Sequence, residues 1–219
     1  MINKQFDAVI FDLDGTLIDS MWVWQEIDRK FLGKRNIPVP SDIDKALEGK
    51  SFTESAEYFK ERFALSMGIE EIKTEWNEMA WEFYTKQVPL KKGVKAFLEL
   101  LKERKIKMGI ATSNSVKLVQ AVLKALDITE YFDQIKTSCE VGRGKPFPDI
   151  YLKVAEELGV EPSKCLVFED IPNGVLAGKN AGMTVGCIRD RQEEVLWEET
   201  KSVADFAVND YEEVIEQLK

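Results

Sequence analysis

Two carboxylates, Asp12 and Asp14, stand two residues apart in the segment Asp12-Leu13-Asp14-Gly15-Thr16, directly after the apolar run Ala8-Val9-Ile10-Phe11. The run reads as a buried strand, and ligands of open parallel sheets bind beyond the carboxyl ends of the strands. Gly15 lets the chain turn sharply and lets its backbone approach a ligand. An ordinary turn rich in Asp and Gly is the plain alternative. A calcium loop is excluded. Counted from Asp12, the positions that such a loop reserves for Gly and Glu hold Leu17 and Val23.

Three further clusters have the same design. Ala111-Thr112-Ser113-Asn114 ends an apolar run and opens a helical pattern, where hydroxyls and free backbone N–H groups make an anion site or simply an N-cap. Gly144-Lys145-Pro146-Phe147-Pro148-Asp149 restrains a lysine between glycine and proline; a solvated loop lysine is the alternative. It is not a Walker A loop, because Cys139 and Pro146 occupy positions where that motif needs Gly and Ser or Thr. Phe168-Glu169-Asp170, followed by Asn173-Gly174, again closes an apolar run with acids. Adjacent carboxylates there are costly unless a cation or solvent compensates them. Together the clusters bring acids, hydroxyls and one lysine to the ends of four strands. Converging carboxylates need a hard cation, Mg²⁺ fits oxygen ligands, and the guest beside a lysine and an anion-binding turn is a phosphoryl group.

The elements that must hold these clusters are legible in the hydropathy pattern. Besides Ala8 to Phe11, strand-like runs occur at Met108 to Ala111, Ile135 to Ser138, Cys165 to Phe168 and Thr184 to Ile188, with a weaker one at Phe206 to Val208. Between them lie helical stripes: Val94, Phe97, Leu98 and Leu101; Val116, Val119, Val122, Leu123 and Leu126; Tyr151, Leu152, Ala155 and Leu158. This alternation predicts an α/β fold, a Rossmann-like parallel sheet with helices on both faces. From about Ser20 to Gln87 the alternation stops. Trp24, Ile27 and Phe31 share one helical face, Ser51-Phe52-Thr53-Glu54 is a capping box leading to Phe59 and Phe63, and Ile72, Trp76, Met79 and Phe83 form a third stripe. An all-helical insert directly after the first strand is expected.

Net charge is −9, which disfavours nucleic acid and anionic membrane as bulk partners but not a small phosphorylated one. No apolar run approaches the ~20 residues that cross a bilayer, and residues 1–7 lack a signal-peptide pattern. The three cysteines, Cys139, Cys165 and Cys187, are odd in number and widely spaced, which argues against a disulfide framework and for the cytoplasm. There is no histidine. Proton transfer near neutral pH then falls to a carboxylate, lysine, cysteine or tyrosine, and zinc sites built on histidine are ruled out.

The four clusters, in this order, resemble the motifs of the haloacid dehalogenase superfamily of phosphotransferases, and the likeness covers nearly the whole chain. Lys145-Pro146-Phe147-Pro148-Asp149 and Glu169-Asp170 with Asn173-Gly174 are especially similar to the β-phosphoglucomutase-like branch. The resemblance implies a Rossmann-like catalytic core (residues 1–18 and 88–219) and a helical cap domain (19–87). It implies that Asp12 attacks phosphorus and that Asp14 protonates the leaving oxygen, then deprotonates the water that cleaves the aspartyl phosphate. Thr112 and nearby backbone N–H groups would hold the phosphoryl oxygens, with Thr16, Ser113 and Asn114 among the substrate contacts. Lys145 would balance charge. Mg²⁺ would be bound by Asp12, Asp170 and the backbone carbonyl of Asp14, with Glu169 beside it or bridged by water.

The expected activity is Mg²⁺-dependent hydrolysis of a small phosphorylated metabolite by a monomer. Where the mutase carries an arginine in its cap loop, this chain reads Gly49-Lys50-Ser51-Phe52, which favours water as acceptor. A phosphosugar mutase is the alternative, and a non-catalytic phosphate-binding or phospho-accepting domain the third reading. Haloacid dehalogenation is disfavoured because that branch lacks the carboxylate of Asp14. Trp24, Lys50 and Phe52 are candidates for the leaving-group pocket, with packing inside the cap as the alternative for the two aromatics. Hinges are expected near Leu17 to Ser20 and Gln87 to Lys92.

Overall fold

The computed structural model describes residues 6–191 and 194–218; most of the segment read for a signal peptide, residues 1–5, lies outside them. Strand β1 (Ala8–Phe11) is followed first by the four helices of the insert: α1 (Met21–Gly33), α2 (Ile43–Leu47), α3 (Phe52–Arg62) and α4 (Ile69–Lys86). Then come α5 (Val94–Glu103), β2 (Lys107–Thr112), α6 (Val116–Ala125), β3 (Gln134–Thr137), α7 (Asp149–Leu158) and β4 (Cys165–Glu169). The chain ends with α8 (Pro172–Asn180), β5 (Thr184–Ile188), α9 (Glu194–Val203), β6 (Phe206–Val208) and α10 (Tyr211–Leu218).

The six strands form one parallel sheet in the order β3-β2-β1-β4-β5-β6. β1 is central and fully buried because helices cover both faces, which is why its sequence is apolar without alternation. Its residues still point alternately. Val9 and Phe11 join one core cluster, and Ala8 and Ile10 join the other. Phe11 pairs with Ile110 on one side and Phe168 on the other, and the rings of Phe11 and Phe168 stack at 5.8 Å with Phe97 and Tyr211 against them. This aromatic layer locks β1 and β4 in register one residue before Asp12 and Glu169. The chain leaves β1 towards β2 and β3, then returns to β4 on the other flank, so the crevice at the carboxyl ends opens beside β1.

The α/β fold expected from the pattern is therefore the observed one, with shifts at the edges of elements. β2 starts at Lys107, and β3 ends at Thr137, where Ser138 begins a short 3-10 turn. Three helices bury a row that is rotated from, or shorter than, the stripe the pattern predicts. Val116 is 47% and Leu152 41% exposed, each lying at the rim of a helix whose other apolar residues face the sheet. On α4 the inward row is Ile72, Trp76, Ala80 and Tyr84 at i, i+4 spacing, while Met79 and Phe83 are only half-buried. The capping box on α3 is present. Ser51 Oγ accepts from Glu54 N, and Glu54 Oε2 accepts from Ser51 N at 2.7 Å. All three cysteines are free, Cys165 and Cys187 buried in β4 and β5 and Cys139 exposed. No helix among the described residues is long and apolar enough to cross a membrane.

The two chain crossings between the helical insert and the sheet run side by side. Asp19 N donates to Pro89 O and Lys91 N to Leu17 O, at 3.0 and 2.9 Å. The far side of the insert also touches the core. Asn173 N and Nδ2 donate to Glu48, and Gly144 N donates to Glu54 Oε1 at 3.4 Å.

Candidate active site

Asp12 follows Phe11 with its N–H still bonded to Phe168 O, so its carboxyl is delivered straight off the sheet edge. The turn behind it closes on Leu13 O, which accepts from the N–H groups of Thr16, Leu17 and Ile18. Gly15 has φ +83, and a Cβ there would lie 2.2 Å from Asp170 Oδ2, so both conformation and space demand glycine. Thr16 Oγ1 donates to Asp170 Oδ1 at 3.0 Å. Lys91 Nζ donates to Gly15 O, Arg189 O and Asp190 Oδ1 at 2.6 to 2.8 Å and braces the turn from below.

Asp12, Glu169 and Asp170 are all buried, and each offers a carboxylate oxygen within 4.8 Å of the others. Lys145, 5% exposed, reaches across from the loop before α7 and sits 2.5 Å from both Asp12 Oδ1 and Glu169 Oε1. Tyr151 OH also donates to Glu169 Oε1, and Asp170 N to Glu169 Oε2. Burial pushes Asp12 up to about 8, with Lys145 pulling it down and Glu169 adding to the rise. Burial, then Asp12 and Glu169, hold Asp170 well above the ordinary carboxyl range. Against its own burial, the Lys145 ammonium is kept charged by Asp12 and Glu169. Three buried carboxylates converge here, Lys145 pairing with two of them and Lys91 acting on Asp170, and their donor set is all oxygen. That is the chemistry of a hard divalent-cation site, and these residues fit one. The downward pull of Lys145 on Asp12 is thus outweighed by burial while protein groups alone surround it.

Asp14, two residues on, lies in a different environment. Ser20 Oγ donates to its Oδ1 at 2.6 Å, Tyr84 OH donates to the same oxygen, and Asn114 Nδ2 donates to Oδ2 at 2.8 Å. Its carboxylate is not among the three that offer oxygens within 4.8 Å of one another. Thr112, at the end of β2, is buried, and its Oγ1 accepts from Asn114 N at 3.1 Å. Ser113 Oγ lies 3.5 Å from Ser138 Oγ. Ser115, not Ser113 or Asn114, caps α6, its Oγ accepting from Leu118 N.

The structure therefore brings Asp12, Asp14, Thr16, Thr112, Ser113, Asn114, Lys145, Glu169 and Asp170 to one end of the sheet. Of the residues proposed for the insert side, Phe52 is buried between the rings of Trp24 (6.0 Å) and Trp76 (5.6 Å), and Trp24 packs 6.0 Å from Tyr84. Lys50 Nζ lies 5.8 Å from the Tyr58 ring centroid, while Gly49 beside it packs on the Lys145 backbone. Sequence reasoning missed Ser20, Tyr84, Lys91 and Tyr151. Tyr84 and Tyr151 sit in apolar helical rows and differ from core aromatics only by a hydroxyl, while Ser20 and Lys91 fall in the two crossings read as hinges.

The parallel α/β sheet thus carries a buried acid–lysine cluster at its carboxyl edge. The family model for haloacid dehalogenase-like hydrolases matches residues 6–182. The chain is 33% identical to the phosphorylated carbohydrates phosphatase of Thermotoga maritima over 81% of its own length and 82% of that protein. The phosphate complex of CbbY from Rhodobacter sphaeroides superposes with a TM-score of 0.83 at 23% identity, covering 95% of this chain and 96% of that one. β-Phosphoglucomutase from Clostridium difficile superposes with 0.79 at 24%, covering 97% and 96%. At these identities the two structures speak for the fold. The chain belongs to the haloacid dehalogenase-like hydrolases. It is an enzyme, a phosphatase of that superfamily.

Proposed function

We propose that this phosphatase is a magnesium-dependent phosphomonoesterase that acts on a small phosphorylated metabolite through an aspartyl phosphate on Asp12. The observation that carries the reading is the contrast between its two motif carboxylates. Asp12 is gripped by Lys145 within a buried acidic triplet, and Asp14 is held by neutral donors two residues away. Paired carboxyls in unlike environments are suited to unlike roles.

In the first step an Asp12 carboxylate oxygen attacks phosphorus and the ester P–O bond breaks. The departing alkoxide takes a proton from Asp14. In the second step Asp14 takes a proton from water, the water oxygen attacks phosphorus, and the Asp12–phosphorus bond breaks to release inorganic phosphate. Lys145 neutralises charge between Asp12 and the incoming phosphoryl group. The hydroxyls of Thr112 and Ser113 line its oxygens, while Thr16 and Asn114, whose donors go to Asp170, Thr112, Asp14 and Tyr84, hold the surrounding side chains in place. Mg²⁺, held by Asp12, Asp170, the Asp14 carbonyl and Glu169 directly or through water, supplies Lewis-acid neutralisation of the phosphoryl charge when bound.

Residues 19–87 act in this reading as a cap that closes over the site and excludes bulk water. That enclosure supports a small metabolite rather than a folded phosphoprotein. The named activity of the Thermotoga relative makes phosphorylated carbohydrates the first substrates to test. The apolar burial of Phe52 leaves that position without a charge for a second phosphoryl group, which supports water over the phosphosugar acceptor of a mutase. The test is phosphate release from a panel of sugar, polyol and nucleoside monophosphates, with Mg²⁺ or EDTA, for wild type and Asp12→Asn. Release requiring both Mg²⁺ and Asp12 is expected. Release that survives EDTA or the substitution overturns the mechanism, and isomerisation of hexose phosphates without release favours the mutase.

A further inference from the structure

We propose that Tyr84, carried by α4 of the helical insert, is a positioning residue that decides which oxygen of Asp14 carries the proton given to the leaving group. The inference rests on the phosphatase mechanism above.

The hydrogen bonds around Asp14 select one arrangement, in which Ser20, set beside both Tyr84 OH and Asp14 Oδ1, donates to the carboxylate because a charged acceptor makes the stronger bond. Asn114 Oδ1 accepts from Ser115 N at 2.7 Å, so its amide nitrogen faces the other way, where it donates to Asp14 Oδ2 at 2.8 Å and to Tyr84 OH at 2.9 Å. Both amide hydrogens are then used. Tyr84 accepts one of them, so its own proton is directed at Asp14 Oδ1. Ser20 Oγ donates to that same oxygen at 2.6 Å. A carboxylate oxygen offers two lone-pair sites. On Oδ1 both are filled, by Ser20 and Tyr84, whereas among the described residues Oδ2 accepts from Asn114 alone. The one open site for a proton is on Oδ2.

Tyr84 is not itself the proton carrier. It is fully buried, and its phenol is held well above its ordinary range by that burial and by the charge of Asp14. It keeps its proton while Asp14 Oδ2–H gives up its own to the ester oxygen as the P–O bond breaks. The ring is wedged by Trp24 of α1, with centroids 6.0 Å apart, and α4 is registered against the start of α6 at two points, Tyr84 OH accepting from Asn114 Nδ2 and Asn77 Oδ1 from Ser115 Oγ at 2.5 Å. Phe in place of Tyr84 would keep the packing and free one lone pair on Oδ1, letting the proton settle on the wrong oxygen.

The test compares kcat/KM of wild type and Tyr84→Phe across substituted phenyl phosphates, from 4-nitrophenyl to 4-methoxyphenyl. This ratio reports the steps through loss of the leaving group. A good leaving group needs little protonation and a poor one depends on it. General acid catalysis contributes about 10²–10⁴-fold where it operates. Tyr84→Phe is expected to keep the nitrophenyl rate within about twofold and lose about tenfold or more on the methoxyphenyl ester. Ser20→Ala, which empties the other site on Oδ1, should steepen the series in the same direction and serves if Tyr84→Phe does not fold. Parallel losses across the series, or none, overturn the assignment while leaving the phosphatase reading intact. A wild type that turns over none of these esters, or does so without Asp12, removes that reading and this inference with it.

Discussion

Asp12→Asn in the cation-free protein isolates the electrostatic strain of the acidic triplet. Burial raises Asp12 from an ordinary 3.8 to about 8. Between those values the folded protein binds a proton that the unfolded chain does not. The group's contribution to stability is therefore fully present below about 3.8 and is lost as pH rises through about 8. Each pH unit inside that window is worth about 1.4 kcal/mol. Asparagine has the shape of the protonated acid at every pH and does not pay this cost. In EDTA the stability advantage of Asp12→Asn over wild type should widen by about 3 to 4 kcal/mol from pH 5 to pH 8. For a chain of this length that is about 10 °C in Tm. Adding Mg²⁺ at pH 8 should stabilise wild type and close much of the gap, because the ion binds the folded site and not the unfolded chain. Urea unfolding and thermal melts at both pH values, in EDTA and in Mg²⁺, read all four terms. An advantage that is the same at pH 5 and pH 8, or a wild type more stable than Asp12→Asn at pH 8 in EDTA, would refute the reasoning.

Three other substitutions follow from the geometry. Lys145→Met leaves Asp12 and Glu169 buried without their shared ammonium, and breaking such a pair costs about 3 to 5 kcal/mol. Chemical denaturation in EDTA should show that loss, and steady-state kinetics a fall in phosphate release of at least about 100-fold. Gly174→Ala puts a Cβ 2.1 Å from Glu169 Oε2 in the first turn of α8, so Glu169 must move. Apparent Mg²⁺ affinity should drop about 10- to 100-fold in a titration, with far-UV circular dichroism unchanged. Ser51→Ala removes one half of the α3 capping box and should lower stability by about 1 kcal/mol in urea unfolding.

Much of the core site is legible in the sequence because its clusters are contiguous. An apolar run closed by Asp12-Leu13-Asp14-Gly15 states both the strand and the residues at its tip, and the same holds for Thr112 and for Glu169-Asp170. The helix faces were less legible. Val116 and Leu152 are apolar and near the right period, yet they lie at the rim of their helices, since periodicity alone does not fix where a stripe ends.

What the sequence by itself determined is the parallel sheet, the helical insert after β1 and the chemistry gathered at the strand ends, because each depends on residues adjacent in the chain. What only the tertiary structure decided are the contacts between distant segments. Lys145 meets both Asp12 and Glu169 across the sheet edge, and Tyr84 leaves an otherwise apolar row on α4 to reach Asp14. A hydroxyl at the end of a hydrophobic stripe has no local signature. Its partner is set by how the insert packs on the sheet, where shape and buried hydrogen bonding act over seventy residues of chain.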